Sequence, residues 1–453
     1  MKALAKPSLQ KHSREARNSG LRLCLSTRFR TFSSDATPFP QKENRDFDFR
    51  ASRLGLVPNW IKHPCLHSIL QLPEVLVAVG VLSGKAKASA TTDSDLDRAT
   101  QILESIQRGG NEHLASLAIR AELQQRTGKH GGAFKTLSKL QSLVSLEEDT
   151  QNQASTFSLS MAIAKTLWYM GNVCEAEKVC VQLLDIDHVQ DLPLQYASAL
   201  TGYGLSKLVQ CDSLDDAFTV RDPLRMAVKY LERFPGQYGL PLIAAKLNLG
   251  VAEVLFGNVV SENRDLKVPI DPALKTWTQA MTVLDGRSPS TPSEKAIVAA
   301  LQVRLEGNLA WGVLKINDDM EDIVPLASGY AGNALRVLDE ITEIENGEKE
   351  FLRRILTVVG TCYHKGGKAV TAEGLLKSAI SLPSIGCTLT KLDEKSAYSS
   401  LCDLYKEWDK REGDADNFDS KARQLELTLP DQWQGKKEIL SSLWFWTPEE
   451  FSY

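Results

Sequence analysis

Apolar residues recur every three or four positions along most of the chain, which is the period of an amphipathic helix. Alternating apolar and polar residues, the pattern of a half-buried strand, are nearly absent. Amphipathic segments that lack the regular small-residue spacing described below are residues 95–107, 195–208, 222–233, 296–314, 330–341 and 395–408. Turn-forming pairs such as Pro235-Gly236 and Asn346-Gly347 separate the segments. The pattern predicts an all-α protein made of consecutive helices.

One stretch near the end of this pattern places small residues at regular offsets. Gly360 and Gly367 are followed by Ala372 and Ala379, and Leu376 stands between the two alanines. Small side chains let two antiparallel helices approach closely, and glycine suits the turn that joins them. The stretch therefore predicts a helical hairpin with its turn at Gly367.

A second stretch repeats the spacing. Gly250 and Gly257 have the same separation as Gly360 and Gly367, and Ala273 and Ala280 mark the second helix. An insertion, residues 259–272, separates the two predicted helices and is expected to form a loop on one edge of the hairpin. A looser copy has Ala164, the turn glycine Gly171 and Ala176, with Trp168 expected against the turn, and another runs from Leu117 to Leu140.

This spacing resembles the tetratricopeptide repeat, a helix-turn-helix unit of roughly 34 residues. The resemblance covers about half to two thirds of residues 96–382. It implies an α-solenoid of stacked antiparallel hairpins forming a right-handed superhelix, with one helix of each pair along a concave groove that binds peptide segments. Some relatives clamp chaperone tails with Lys and Asn, but the matching places here hold Leu247, Val251, Thr357 and Thr361.

The first 34 residues differ from the rest of the chain. They contain eight Lys or Arg and one Glu, giving about +7, and arginines interrupt every apolar stretch. This composition predicts an organellar transit peptide rather than a secretory signal. Arg30, Phe32 and Ser33 resemble a mitochondrial cleavage site that would make Ser33 the first mature residue. A plastid destination and a basic tail without targeting function are the alternatives.

Four segments are expected: a cleaved transit peptide at 1–32, an extended segment with a leading helix at 33–92, the helical-repeat domain at 93–408, and residues 409–453. The last comprises an acidic loop, a C-terminal cap and an aromatic tail with five aromatic residues among its last eleven. This tail either caps the last hairpin, the preferred interpretation, or docks on a partner.

No residues point to catalysis, a cofactor or a metal. The eight cysteines are scattered and the motif His63-Pro64-Cys65-Leu66-His67 has no second half, so neither a disulfide framework nor a zinc site is expected. Glycine-rich stretches at 128–132 and 365–368 lack the strand and spacing of a phosphate-binding loop. The longest apolar run, Val75 to Leu82, is too short to span a membrane.

Charge bears on the kind of partner. The whole chain carries −4 and the leader about +7, so the mature chain carries about −11. This balance argues against DNA and RNA. The sequence predicts a non-catalytic protein-binding scaffold or assembly factor of the mitochondrion, with the matrix as the expected compartment and a partner of unknown identity. A pentatricopeptide-like RNA-binding protein and a helical-repeat enzyme are the alternatives.

Overall fold

The computed structural model describes residues 117–118, 120–121, 124–125, 129–144, 153–186, 189–211, 214–234, 236–262, 271–289, 292–315, 320–341, 349–382, 387–408, 410–436 and 438–448. All of them belong to one contact unit, Arg45–Tyr453. The predicted transit peptide, the cleavage residues Arg30, Phe32 and Ser33, the segment 33–92 and the His63–His67 motif lie outside the described residues.

The described residues form thirteen long helices and, in this part of the chain, no strand. The first six are α1 His130–Val144, α2 Gln153–Tyr169, α3 Val173–Leu184, α4 Pro193–Gln210, α5 Leu214–Leu231 and α6 Gly239–Glu262. The others are α7 Asp271–Asp285, α8 Pro292–Leu314, α9 Met320–Ile341, α10 Lys349–Lys365, α11 Ala369–Ser381, α12 Thr388–Lys406 and α13 Glu412–Leu427. Short 3₁₀ turns occur at Val189–Asp191, Asp431–Trp433 and Glu438–Ser442.

Each helix packs against the next one along the chain. In addition, each even-numbered helix from α2 to α10 contacts the following even-numbered helix. The helices therefore form a stack of hairpins, α2–α3 to α12–α13, whose even-numbered helices share one face. We call this face the inner face. The prediction of an all-α solenoid of stacked antiparallel hairpins is confirmed.

The small residues singled out in the sequence lie where the helices of one hairpin cross. A Cβ atom at Gly250 would lie 2.6 Å from Cε2 of Trp277, and one at Gly360 would lie 2.7 Å from Cγ of Leu376. Six alanines of the signature are fully buried: Ala164, Ala176, Ala273, Ala280, Ala372 and Ala379. Gly171 and Gly367 have positive φ angles of 90° and 71°, which the turns between the helices require.

A pair of glycine substitutions tests this packing. Gly250→Ala should lower the unfolding free energy by about 1–3 kcal/mol, because the new methyl group displaces Trp277 from its 3.0 Å hydrogen bond to the Leu247 carbonyl. Gly374→Ala should raise it by about 0.5–1 kcal/mol, because this exposed position in α11 has no neighbour within 4 Å of the new Cβ. Urea unfolding followed by circular dichroism measures both changes. A similar effect of the two substitutions would contradict the assigned crossing.

The structure corrects two sequence-based assignments. Gly257 was expected in a turn, but α6 continues through it to Glu262, because the apolar pattern extends beyond the glycine. The acidic stretch 409–419 was expected to be a loop, but most of it forms the first half of α13. Glu412 and Asp414 lie in the first turn of this helix, where the helix dipole favours negative charge.

Hairpins α2–α3 and α12–α13, which are distant along the chain, also meet. Thr388, at the start of α12, donates a 3.4 Å hydrogen bond to the carbonyl of Tyr169 at the end of α2. Pro430, which follows α13, lies against Gly171, with its Cγ 2.5 Å from the position of a Cβ atom there. The stack is therefore curved enough to bring these two hairpins into contact.

Candidate functional site

The inner face is occupied by the end of the chain itself. We call residues 429–448 the C-terminal segment. Its two 3₁₀ turns contact α4, α6, α8 and α12, and its side chains and backbone reach α2 and α10 as well. The segment thus touches all six even-numbered helices, which is possible because the stack curves around it.

A single buried asparagine on α6 holds the backbone of this segment. The amide nitrogen of Asn248 donates a 2.9 Å hydrogen bond to the carbonyl of Trp444, and the backbone N–H of Trp444 donates a 2.9 Å bond to Oδ1 of Asn248. Asn248 is fully buried. Because both bonds go to the main chain, this contact recognises an extended polypeptide and not a particular side chain.

Aromatic side chains anchor the segment on either side of this contact. Phe445 is fully buried, and its Cζ lies 2.7 Å from the position that a Cβ atom would take at Gly202 of α4, so glycine creates the space for the ring. Trp433 is also fully buried and packs edge-to-face on Trp168 of α2, with 5.4 Å between ring centroids. Trp446 is fully buried as well. These rings, with the buried Ile439, Leu440 and Leu443, make the apolar contact between the segment and the helices.

A buried arginine on α10 joins the segment to α8 and α12. Nη1 of Arg354 donates hydrogen bonds of 2.8 Å to the Glu438 carbonyl and 2.6 Å to Oγ of Ser441. Its Nη2 donates a 3.3 Å bond to Asn308 of α8, and Asp393 of α12 lies 3.8 Å from Nη1. Burial raises the pKa of Asp393 to about 6, although Arg354 acts in the opposite direction. The charges are therefore retained in the interior by their mutual contacts.

Beyond the segment, the inner face remains open at α8, α10 and α12. A cavity of about 910 Å³ lies there. Its cationic side chains are Lys315, Arg354, Lys365, Lys395, Lys406 and Lys436, and its anionic ones are Asp393, Asp403, Glu407 and Glu438. Serines and threonines of α10 and α12 also line it: Thr357, Thr361, Ser396, Ser399 and Ser400. The cavity is large enough for several residues of a peptide, and most of the residues that line it are polar or charged.

Most charges at this cavity already have partners. Lys315 lies 3.6 Å from Glu438, Lys406 lies 3.9 Å from Asp403, and the ring of His364 lies 2.8 Å from Glu407. Lys365 donates a 2.9 Å hydrogen bond to the Leu314 carbonyl at the end of α8, where the helix dipole favours a cation. The lysines therefore neutralise carboxylates and helix ends, and the cavity is not a strongly basic patch.

The sequence singled out packing residues and not the residues of this groove. Among the glycines and alanines of the predicted hairpins, Gly171 contacts the C-terminal segment, where it lies against Pro430. The stretch 365–368 forms the turn between α10 and α11, and residues 130–132 begin α1. Asn248, Arg354 and Gly202 were missed. A polar residue inside the apolar stretch of α6, and an arginine pair at 353–354, were the available signals.

The described part of the predicted tail, residues 443–448, lies against the middle of α4 and α6 instead of capping the last hairpin. Residues 449–453 lie outside the described residues. In the described part of the chain, no cluster of three or more His, Cys, Asp or Glu suits a metal ion, and no described helix has the length and apolar character to cross a membrane. The six described cysteines are all free thiols.

One buried carboxyl group lies away from the groove. Glu306 of α8 is 3% exposed, and its Oε1 accepts a 3.0 Å hydrogen bond from Gln302. Burial raises its pKa from 4.5 to about 7, against the opposing effects of Gln302 and Arg336. Because the folded state binds the proton more tightly, stability falls as the pH rises from 4.5 through 7.

Glu306→Gln should remove this pH dependence. The wild-type shift corresponds to about 3 kcal/mol lost between pH 4.5 and 8, so the substitution should raise the unfolding free energy by about 2–3 kcal/mol at pH 8 and little at pH 4.5. Urea unfolding at the two pH values gives the difference. Glu412→Gln, at an exposed position of α13, is the matched control and should leave the slope unchanged. An unchanged slope for Glu306→Gln would contradict the assignment.

Comparison with known proteins gives similarity to solved structures alone. No protein-family model matches the chain, and no curated protein matches it. Two structures of human IFIT1 are similar: the IFIT1 dimer with m7Gppp-AAAA is 12% identical with a TM-score of 0.35, over 86% of this chain and 83% of that one. The IFIT1 dimer with PPP-AAAA is 13% identical with a TM-score of 0.35, over 87% and 84%. The solenoid assignment rests on the helix packing described above.

Proposed function

We propose that this chain is a non-catalytic scaffold or assembly factor that binds a protein partner through its inner face and acts in mitochondria. One observation supports protein binding above all: the inner face holds an extended polypeptide segment by main-chain hydrogen bonds and aromatic contacts. A groove that accepts one such segment has the chemistry to accept a second in its open part. The paired charges at the cavity and the negative net charge favour protein over RNA.

The mitochondrial part of the proposal rests on the sequence of the leader. Its basic composition and the residues Arg30, Phe32 and Ser33 favour import and cleavage. Import of the radiolabelled full chain into isolated mitochondria should yield a shortened, protease-protected product that begins at Ser33. A product that still begins at Met1, or that stays outside the organelle, would contradict this part.

The binding part can be tested by crosslinking in the organelle followed by mass spectrometry. Lysines at the cavity, such as Lys395 and Lys406, should crosslink to the partner more than Lys178 and Lys377, which lie on the odd-numbered helices α3 and α11. The crosslinks should survive nuclease treatment. Crosslinks confined to the odd-numbered helices would contradict binding at the inner face, and their loss on nuclease treatment would support an RNA-dependent role.

A pair of serine substitutions adds a control to this experiment. Ser399→Trp fills the open cavity and should lower the amount of recovered partner about tenfold or more. Ser378→Trp places the same side chain on the exposed surface of α11 and should leave recovery unchanged. Equal recovery with both variants would place the binding surface away from the cavity.

A further inference from the structure

The last part of the C-terminal segment is attached as a peptide ligand would be. Its backbone at Trp444 is held by Asn248, and Phe445 fills the space above Gly202. Arg304 of α8 lies over the ring of Trp444, 4.9 Å from its centroid. These contacts reach the segment from α4, α6 and α8, which are remote in sequence, so they do not depend on the covalent connection of the segment to α13.

The point at which this part joins the rest of the chain is exposed. Gly435 lies in a surface turn with a φ of 71°, between the buried Trp433 and the second 3₁₀ turn. The residues after this turn continue to the carboxyl terminus of the chain. Trp433, before this turn, packs on α2, whereas Trp444 and Phe445, after it, are held by α4, α6 and α8. The connection at Gly435 therefore serves as a tether between two separately anchored parts.

Two polar groups that the segment does not satisfy lie beside this groove. Trp168 and Trp433 are both fully buried, and neither indole N–H has a hydrogen-bond acceptor among the described residues. A buried donor without an acceptor lowers stability by about 1–3 kcal/mol. The ring of Trp168 lies 5.8 Å from that of Phe445, between centroids, so a peptide that offers this indole an acceptor would bind more favourably than the resident segment does.

We propose that the groove over α4, α6 and α8 is a receptor for extended aromatic peptide segments, and that the described residues 438–448 are its intramolecular ligand. This inference rests on the proposed protein-binding function and names the chemistry of the partner. The partner segment is extended, carries adjacent aromatic residues as in Trp444-Phe445-Trp446, and competes with the resident segment. A short tether gives the resident an effective concentration of roughly millimolar, so a competitor must bind more tightly or be tethered itself.

Cutting the tether within the full chain tests this inference without removing any contact. A site-specific protease sequence is inserted in the exposed turn at Gly435, and the protein is cleaved after folding. A fluorescent peptide of residues 436–453 is then added at micromolar concentration, and binding is followed by anisotropy. The cleaved protein should exchange its fragment for the labelled peptide, whereas the uncut protein should show no binding, because its tether outcompetes the peptide.

Two matched controls identify the contacts. A labelled peptide with Phe445→Ala and Trp446→Ala should bind at least tenfold more weakly to the cleaved protein. Asn248→Ala in the cleaved protein should weaken binding of the unchanged peptide about tenfold, because two hydrogen bonds to Trp444 are lost. Asn172→Ala, at an exposed position that precedes α3, should leave binding unchanged.

Each remaining outcome has a definite meaning. If the cleaved protein unfolds, or stays folded but never exchanges its fragment, residues 436–453 are part of the core and the inference is wrong. Equal binding of the two peptides would also overturn it. If exchange fails while Ser399→Trp still abolishes partner recovery, the proposed function stands and the partner uses the open cavity. If exchange succeeds and no partner is crosslinked, the groove is a receptor but the scaffold function fails.

Discussion

Trp433→Ala should lower the unfolding free energy by about 3–5 kcal/mol, among the largest losses expected from a single substitution in this protein. The indole is fully buried and packs on Trp168 of α2, while its backbone lies in the 3₁₀ turn Asp431–Trp433, shortly after α13 ends at Leu427. Its removal leaves a cavity between the C-terminal segment and hairpin α2–α3. The size of the loss depends on how completely the neighbouring side chains can relax into this space.

Chemical unfolding followed by far-ultraviolet circular dichroism measures this loss. Leu427→Ala is the matched control, because Leu427 is 77% exposed near the same end of α13, and its replacement should change the unfolding free energy by less than about 0.5 kcal/mol. A loss below about 1 kcal/mol for Trp433→Ala would mean that the C-terminal segment does not occupy the inner face in solution.

Arg354→Met should lower the unfolding free energy by a similar amount, about 3–5 kcal/mol at pH 7.5, through a different mechanism. The substitution removes the hydrogen bonds to Glu438 and Ser441 and leaves Asp393 buried without its nearest cation. The pKa of Asp393 should then rise above its wild-type value of about 6, so that the loss is smaller at pH 5 than at pH 7.5.

The second substitution Asp393→Asn separates the effect of the lost Arg354 hydrogen bonds from the effect of the uncompensated Asp393 charge. Added to Arg354→Met, it removes the uncompensated charge and should recover part of the loss at pH 7.5. Arg423→Met, at a position on α13 whose side chain is 79% exposed, is the control for removing a surface arginine and should have little effect. A pH-independent loss for Arg354→Met would show that Asp393 does not carry the charge assigned to it.

These predictions and the proposed function concern the same groove. The apolar part, over α2 and α4, is filled by Trp433 and Phe445, while the part at α10 and α12, lined mostly by polar and charged residues, is open. A partner can therefore bind beside the resident segment without displacing it, or replace the end of that segment. The crosslinking and peptide-exchange experiments distinguish these two modes.

Local sequence patterns were sufficient to predict the helices and the points at which the two helices of a hairpin cross. Gly250 and Gly360 share one spacing relative to their following glycines, and each proves to lie against a large side chain of the partner helix, Trp277 or Leu376. Such contacts join neighbouring hairpin helices, so short-range periodicity records them. The same reasoning failed at Gly257, because a glycine marks a helix end only where the pattern also stops, and here α6 continues.

The sequence by itself thus determined the all-α class, the hairpin repeat and the basic leader, since each depends on residues close together along the chain. The groove and its occupant were decided by tertiary structure alone. Asn248 and Trp444 are 196 positions apart, and Arg354 and Ser441 are 87 apart. Whether such residues meet depends on the accumulated curvature of the stack, a property of all the hairpins together that no single motif encodes.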